Sequence, residues 1–271
     1  MSFHSRNVLV FFIGIVLGAL SSAAQVRQLR VCADPDNMPF SNRRQQGFEN
    51  RIAVLLAQDL HAQLSYVWQR GGKGFVREYI NKGVCDLLIG IPAGYRPLLT
   101  TTPYYRSTYV FVMRRYQKLI PASLNDPVLH EMKRIGVQVL DDDYTPPAEA
   151  LARRGMQGEI VGFQTVGGNP AAILRAVAAR KIDGAIVWGP FAGYYAKTAV
   201  RNLVLKPVEP EVDPPGLPLT FAISMGVRKG NTQLKNEIEP FLRTRRQQIQ
   251  SVLTHYGVPQ LELAPEVVAR K

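Results

Sequence analysis

The chain has 271 residues, and its 33 lysine and arginine residues outnumber its 21 acidic residues, which gives a formal net charge of +12. This length corresponds to one or two domains and is enough to bury a hydrophobic core without disulfides. The basic residues are spread along the sequence and do not alternate with aromatic residues in one run, so the composition argues against a nucleic-acid-binding protein. The excess positive charge serves solubility, or it attracts anionic lipid or an acidic protein partner.

Residues 1–24 have the pattern of a cleavable signal peptide. Arg6 precedes an apolar run over 8–20, and the small residues Ser22, Ala23 and Ala24 come directly before Gln25. The apolar run is too short to span a bilayer, and no later segment is long and apolar enough to do so. We therefore expect export to the periplasm and a mature chain without a membrane span.

After residue 25, apolar patterns alternate between strand and helix in two groups. The first group has strands over 29–33, 64–68 and 87–91 and helices over 49–60 and 75–81. The second has strands over 134–139, 159–163 and 183–187 and helices over 146–154 and 170–180. Each group has the order βαβαβ, which predicts two α/β units.

Two further strands, over 108–113 and 219–227, connect the groups. We place the crossings near residues 113 and 222, so that 25–113 and 222–271 form lobe 1 and 114–221 form lobe 2. The proline-rich run over 209–218 is predicted to be a surface loop.

The helical ends and the C-terminal region carry further signals. Thr145 is placed to cap its helix, with Pro146 at the first helical position. A helix is predicted over 233–256, kinked or divided by Pro240. The tail after Gly257 is expected to be extended and weakly ordered.

The two cysteines, Cys32 and Cys85, each lie on or beside a predicted strand. Export would place them in an oxidising compartment, so we expect a disulfide, and two buried free thiols are the alternative. In the chain-entropy model, closing this loop contributes about 4 kcal/mol to stability.

In open α/β sheets, ligands bind beyond the carboxyl ends of the strands. Pro92 ends one such strand, because it lacks an N–H. The residues predicted to line the cleft are Asp34, Asp36, Phe40, Tyr95, Arg96, Tyr104, Tyr105, Arg106, Trp188 and Gly189. Core packing is the competing explanation for the aromatic residues, and Glu49 and Asn50 are assigned to helix capping.

Several motifs, in this order, resemble one known family: LRVCADP, PFSN, GFEN, CDLLIG, PYYRSTYVFV and WGP. They resemble the periplasmic solute-binding proteins of family 3, and more narrowly the J proteins of methanol-oxidation operons, which are quinoprotein dehydrogenase-associated binding proteins. The resemblance implies the type II periplasmic-binding-protein fold, with two α/β lobes joined by a two-stranded hinge.

The same resemblance implies a function and partners. It implies a periplasmic accessory of a PQQ-dependent alcohol dehydrogenase and its cytochrome c. The alternative is the receptor of an ABC transporter, which would deliver a small polar or aromatic solute to a permease.

The sequence departs from the amino-acid-binding members of that family. Those members use an arginine for the ligand carboxylate and a second-lobe aspartate for its ammonium group. Here Arg96 stands eight positions before Tyr104, closer than the usual spacing, and Trp188 and Gly189 stand where the aspartate is expected. A free α-amino acid is therefore not the expected ligand.

No motif for catalysis or for a cofactor is visible in the sequence. His61, His130 and His255 have no sequence partners that would form a Ser/His/Asp set, a Cys/His pair or an HExxH motif. Asp141, Asp142 and Asp143 could hold a hard cation such as Ca²⁺, but capping of the following helix is the favoured interpretation. The sequence therefore predicts a binding protein that is not an enzyme.

Overall fold

The computed structural model describes residues 26–72, 74–117, 120–140, 143–165 and 169–263. The predicted signal peptide lies outside these residues, and so do Asp141 and Asp142.

The helices are α1 (Phe48–Asp59), α2 (Val128–Glu131), α3 (Pro146–Ala152), α4 (Ala172–Ala178), α5 (Gly189–Thr198), α6 (Thr232–Thr244) and α7 (Arg246–His255). The strands are β1 (Gln28–Ala33), β2 (Asp36–Asn37), β3 (Ser41–Asn42), β4 (Gln63–Trp68), β5 (Leu87–Pro92), β6 (Leu99–Thr100), β7 (Tyr105–Arg114), β8 (Ile135–Leu140), β9 (Asp143–Tyr144), β10 (Ile160–Gln164), β11 (Gly184–Trp188), β12 (Leu203–Pro207), β13 (Val212–Asp213), β14 (Leu217–Pro218) and β15 (Thr220–Val227).

One continuous sheet has the main strand order β10-β8-β11-β7-β15-β5-β1-β4. At one end β1 pairs in parallel with β4 and β5, and at the other end β8 pairs in parallel with β10 and β11. The long strands β7 and β15 join these parallel groups by antiparallel pairing. This arrangement confirms the prediction of two α/β lobes connected by two strands.

Strand β7 belongs to both lobes. Its first half, Tyr105 to Thr108, pairs with β15, and from Tyr109 onward it pairs with β11 and β12. The pairing therefore changes between Thr108 and Tyr109, earlier than the crossing near residue 113 that the sequence indicated. A strand long enough to pair in both lobes makes a short, direct connection between them.

Each lobe has its own hydrophobic core. In lobe 1, Phe48, Ile52 and Leu56 of α1 repeat every four residues and are fully buried against the sheet, α6 and α7. Burying a side chain of this size contributes roughly 1.5–3 kcal/mol. In lobe 2, separate clusters cover the two faces of the sheet, with Phe111 on one side and Val112 on the other. Residues of β7 alternate between these clusters because successive strand residues point to opposite faces.

A disulfide joins Cys32 and Cys85, as expected, with their Cα atoms 5.6 Å apart. Both residues are buried, in a small cluster with Ile80, Ile91 and Leu98. The bond links the end of β1 to the chain just before β5, where the carboxyl end of β1 lies beside the amino end of β5.

Some elements differ from their prediction. The C-terminal helical segment divides at Arg245 and not at Pro240, which lies inside α6. At the division, the Arg245 guanidinium binds the Asp59 carboxylate of α1 at 2.5 Å. The segment predicted as a helix over 75–81 forms a π-helical turn, Val76–Ile80. The sequence missed α5 and β12 altogether.

The proline-rich segment contains the short β13–β14 hairpin, which carries a buried acidic residue. Asp213 is 1% exposed and forms an ion pair with Arg154 at 2.5 Å.

Candidate binding cleft

A cavity of about 460 Å³ lies between the two lobes, where the predicted cleft was placed. Both lobes and both connecting strands contribute to its walls. Its lining residues are Cys32, Ala33, Asp34, Asn37, Phe40, Ser41, Glu49, Gln69, Gly71, Phe75, Leu88, Gly90, Ile91, Pro92, Tyr105, Tyr109, Gln138, Leu140, Thr145, Thr165, Trp188, Phe191, Phe221 and Ile223. None of these described lining residues is basic, whereas Asp34 and Glu49 are acidic.

Asp34 reaches the cavity because it is the first residue after β1. One of its carboxylate oxygens, Oδ1, accepts a hydrogen bond from the backbone N–H of Asp36 at 2.8 Å. This bond closes a short turn and fixes the carboxylate beyond the strand end, in the wall of the cavity.

Glu49 reaches the same wall from the second position of α1. Its carboxylate lies over the backbone of Gly90 in β5, and a Cβ at Gly90 would stand 2.1 Å from Glu49 Oε1. Within the described ranges, no donor forms a hydrogen bond with this carboxylate. Burial, and secondly the negative charge of Asp34, raise the pKa of Glu49 to about 7.

Asn50, beside Glu49, has the capping role that the sequence suggested for both residues. Its side-chain oxygen accepts hydrogen bonds from the backbone N–H of Gly47 at 3.0 Å and of Asn42 at 3.2 Å. The N–H groups of Phe48 and Glu49 donate to the carbonyl oxygens of Pro39 and Phe40. The helix start therefore does not use the Glu49 carboxylate.

Lobe 2 presents neutral polar groups. Gln138 of β8 accepts a hydrogen bond from the backbone N–H of Trp188 at 2.6 Å, and its amide donates to Thr165 at 3.4 Å. The Thr145 hydroxyl donates to the backbone carbonyl of Gln138 at 2.9 Å. Thr145 does occupy the position before α3, as predicted, but its side chain binds β8 and does not cap the helix.

Aromatic rings complete the wall. Trp188 stands at the end of β11, with its ring centroid 5.3 Å from that of Tyr109 and 5.7 Å from that of Phe221. On the other side, the ring centroids of Phe40 and Phe48 are 5.2 Å apart. Trp188 belongs to β11 of lobe 2, and Tyr109 and Phe221 belong to the connecting strands β7 and β15. The packing of these three rings therefore depends on how the lobes are arranged.

The structure places four of the predicted cleft residues in the cavity wall: Asp34, Phe40, Tyr105 and Trp188. The other predicted positions do not line it.

Three of these other residues lie outside the cavity at the surface or its edge. Asp36 is exposed on β2, and Tyr95 and Arg96 are exposed in the turn after β5. Pro92 ends β5, and the following turn carries the side chains of Tyr95 and Arg96 away from the cavity.

The remaining three serve packing or ion pairing. Tyr104 is buried, and its hydroxyl donates to the carbonyl oxygen of Ile89 at 3.0 Å. Arg106 forms an ion pair with Glu211. Gly189 begins α5, where a Cβ would stand 2.5 Å from the carbonyl oxygen of Thr108.

The described residues contain no group of three or more His, Cys, Asp or Glu side chains that could hold a metal ion. Asp143, the one described member of the predicted acidic run, is exposed on β9. Over the same residues, no helix has both the length and the hydropathy needed to cross a membrane.

The chain is similar to known proteins in sequence and in fold. Protein MoxJ of Methylorubrum extorquens is 32% identical over 270 residues, which cover 91% of this chain and 87% of that protein. The chain belongs to the MoxJ family. No family model matches the chain.

Two solved structures agree with this membership of the MoxJ family. The periplasmic binding protein XoxJ from Methylobacterium extorquens AM1 is 38% identical, with a TM-score of 0.71, and the match covers 87% of this chain and 100% of that one. MxaJ from Methlophaga aminisulfidivorans MPT is 30% identical, with a TM-score of 0.78, and the match covers 86% and 100% of the two chains. More distant amino-acid-binding proteins, at 20% identity or less, share the fold, which is the type II fold of periplasmic binding proteins.

Proposed function

We propose that this MoxJ-family protein is a periplasmic binding protein that serves as an accessory to a PQQ-dependent alcohol dehydrogenase, and that its interlobe cavity is the binding site. The single observation that carries the binding role is the cavity itself, which both lobes enclose at the carboxyl ends of β1, β5, β8 and β11. The dehydrogenase as partner is supported by the motifs shared with the methanol-oxidation J proteins.

The cavity chemistry supports an accessory role over the uptake of amino acids. An α-amino acid needs a positive group for its carboxylate, and none of the described lining residues supplies one. The two arginines predicted to line the cleft are not in the cavity wall: Arg96 is exposed to solvent, and Arg106 forms an ion pair with Glu211. The protein therefore binds a ligand of another class, or a partner protein, at this site.

Binding also fits the site better than catalysis. The cavity holds two carboxylates, but no described His or Cys thiol lies with them, since Cys32 is in the disulfide. The hydroxyl groups of Ser41 and Thr145 donate to backbone carbonyl oxygens and not to either carboxylate. Neither hydroxyl is therefore paired with a base.

Deletion of the gene in its host, followed by assay of alcohol oxidation with cells and with purified dehydrogenase, tests the accessory role. We expect the deletion strain to lose dehydrogenase-dependent alcohol oxidation, and a plasmid copy of the gene to restore it. We also expect the dehydrogenase or its cytochrome c to co-purify with the tagged protein from the periplasmic fraction. Normal oxidation in the clean deletion strain would contradict the proposal.

The transporter receptor is the second candidate, favoured by the shared fold of an amino acid ABC transporter substrate-binding protein with a TM-score of 0.60. A receptor for a solute would be stabilised by that solute according to RT ln(1 + [L]/Kd). Growth on that solute would then depend on this gene, and alcohol oxidation would not.

A further inference from the structure

We infer that the cavity binds a small organic cation with an apolar body, such as an alkylammonium or amidinium ion, and that Asp34 and Glu49 hold its positive charge. This inference rests on the proposal that the cavity is a binding site, and it adds the class of ligand.

The described wall of the cavity is acidic. The described lining has two carboxylates and no basic side chain, although the whole chain has a net charge of +12. An acidic site in a basic protein is not explained by the overall composition. A desolvated negative site attracts a monocation and repels an anion.

The position of Glu49 is the second argument. A carboxylate at the start of a helix usually finds backbone or side-chain donors, but Asn50 has taken that role, and Glu49 meets no donor among the described residues. Gly90 leaves the space that the carboxylate occupies, because any side chain there would collide with it. Glu49 is half-buried, so its carboxylate can accept hydrogen bonds from a ligand in the cavity, and an ammonium or amidinium group supplies several donors.

The aromatic wall is the third argument. Trp188, Tyr109 and Phe221 line the same cavity, with neighbouring ring centroids 5.3 and 5.7 Å apart. Such faces pack against an apolar body and also attract a cation, and the indole ring does so best. Gln138 and Thr165 are polar but neutral. They therefore supply no positive charge for the negative group that a zwitterionic ligand would carry.

Several titratable groups determine how binding depends on pH. Glu49 faces Asp34 beyond β1, Tyr66 of β4, and Tyr104 and Tyr105 at the start of β7. Burial raises the pKa of all three tyrosines, so they stay neutral near pH 7. Because the pKa of Glu49 is about 7, a bound cation favours its ionised form and displaces its proton. Affinity should therefore rise by about tenfold from pH 6 to pH 8.

Isothermal titration calorimetry with the protein purified from the periplasm, in phosphate buffer free of amines, tests the inference. The probes are benzylammonium, benzyltrimethylammonium and benzamidinium ions, with neutral benzyl alcohol and zwitterionic phenylalanine as comparisons. We expect the three cations to bind at pH 8 at least tenfold more tightly than the two comparison molecules.

Variants identify the groups that hold the charge. We expect Glu49→Gln and Asp34→Asn each to weaken cation binding at least tenfold at pH 8, and Glu49→Gln to remove the pH dependence. Asp36→Asn is the matched control, since Asp36 is exposed just outside the cavity, and it should change affinity less than twofold. Gly90→Ala keeps both acids but displaces the Glu49 carboxylate, so it should also weaken binding, which tests the geometry if a charge variant fails to fold.

Binding of the neutral molecule as tightly as the cations, or unchanged cation affinity in Glu49→Gln and Asp34→Asn, would overturn the inference and leave the proposed binding role intact. If none of the three cations binds while gene deletion still abolishes alcohol oxidation, the ligand class is wrong and the accessory role stands. If the cations bind and deletion leaves alcohol oxidation normal, the accessory role fails and the ligand class is retained.

Discussion

The backbones of Gly193 and Gly257 lie in direct contact: a Cβ on Gly193 would stand 1.8 Å from the carbonyl oxygen of Gly257. Gly193 is inside α5 of lobe 2, and Gly257 follows α7, which packs in lobe 1. From there the chain runs along β7, where the Ser107 hydroxyl donates to the Pro259 carbonyl at 2.7 Å and the Leu261 N–H donates to the Arg106 carbonyl at 2.9 Å. The C-terminal segment 257–263 therefore links both lobes at the connecting strands.

We predict that Gly193→Ala separates this C-terminal segment from α5. The added methyl group has no room against a backbone carbonyl, so the segment must shift, at a cost of about 1–3 kcal/mol in the free energy of unfolding. Urea denaturation measures the loss, and hydrogen exchange should show faster exchange at the Leu261 amide. Gly158→Ala is the matched control, because nothing lies within 4 Å of a Cβ at Gly158. Equal stability of the two variants would contradict the prediction.

The order of strands and helices was readable from the sequence because long apolar runs and helical spacing mark the buried faces. The helix α5 was missed because Gly189 and Pro190 at its start, and Gly193 within it, are residues that usually mark turns. In the structure these small residues permit close packing against Thr108 and Gly257. The described part of the tail after Gly257, residues 258–263, has no helix or strand. Its hydrogen bonds to Arg106 and Ser107 were not predicted, because they join segments that are distant in the sequence.

One of the two acidic residues in the cavity wall could also be predicted from the sequence. Asp34 was found because it follows a strand, where sheet topology puts ligands. Glu49 was assigned to capping, since a carboxylate in the first helical turn ordinarily offsets the helix dipole. The Glu49 carboxylate reaches the cavity because of the fold, which places it over Gly90 in a distant segment of the chain. The GFEN motif, in which two polar side chains follow the buried Phe48, was the one local signal.

We predict that the double variant Cys32→Ser and Cys85→Ser lowers the free energy of unfolding by about 2–5 kcal/mol, because the open chain gains conformational entropy. Urea denaturation of both proteins, with and without reductant, measures this effect. Reductant should lower the stability of the wild type to that of the double variant and leave the double variant unchanged. A wild type that is insensitive to complete reduction, confirmed by thiol titration, would contradict the prediction.

We predict that Arg154→Ala is strongly destabilising, since it leaves the buried Asp213 carboxylate without its closest cation, which lies 2.5 Å away. Breaking a buried pair on one side costs about 3–5 kcal/mol. Arg153→Ala is the matched control, because Arg153 stands 3.9 Å from Asp213 and its side chain is twice as exposed, at 35% against 17%. Thermal and urea unfolding should show a much smaller loss for Arg153→Ala, and a similar loss in both variants would show that the pair does not carry this stability.

We predict that Glu49 makes the empty protein less stable as the pH rises. The pKa of its carboxyl is about 7 in the folded chain and lies near 4.5 in the unfolded chain, so between these values the folded state binds more protons. Stability from this group is complete below about pH 4.5 and is lost as the pH rises to about 7. The loss is at most about 3 kcal/mol, and smaller where water in the cavity screens the charge.

Urea denaturation of the wild type and of Glu49→Gln at pH 5 and pH 8 measures the contribution of Glu49 to the free energy of unfolding. The contributions of the other titrating groups are the same in both proteins and cancel in the comparison. The variant should match the wild type at pH 5 and exceed it in stability at pH 8, because the amide carries no charge that must be buried. A cation bound in the cavity should reverse the order at pH 8, since it stabilises only the ionised carboxylate. Equal stability of the two proteins at pH 8 without ligand would mean that the Glu49 carboxylate is hydrated in the empty cleft.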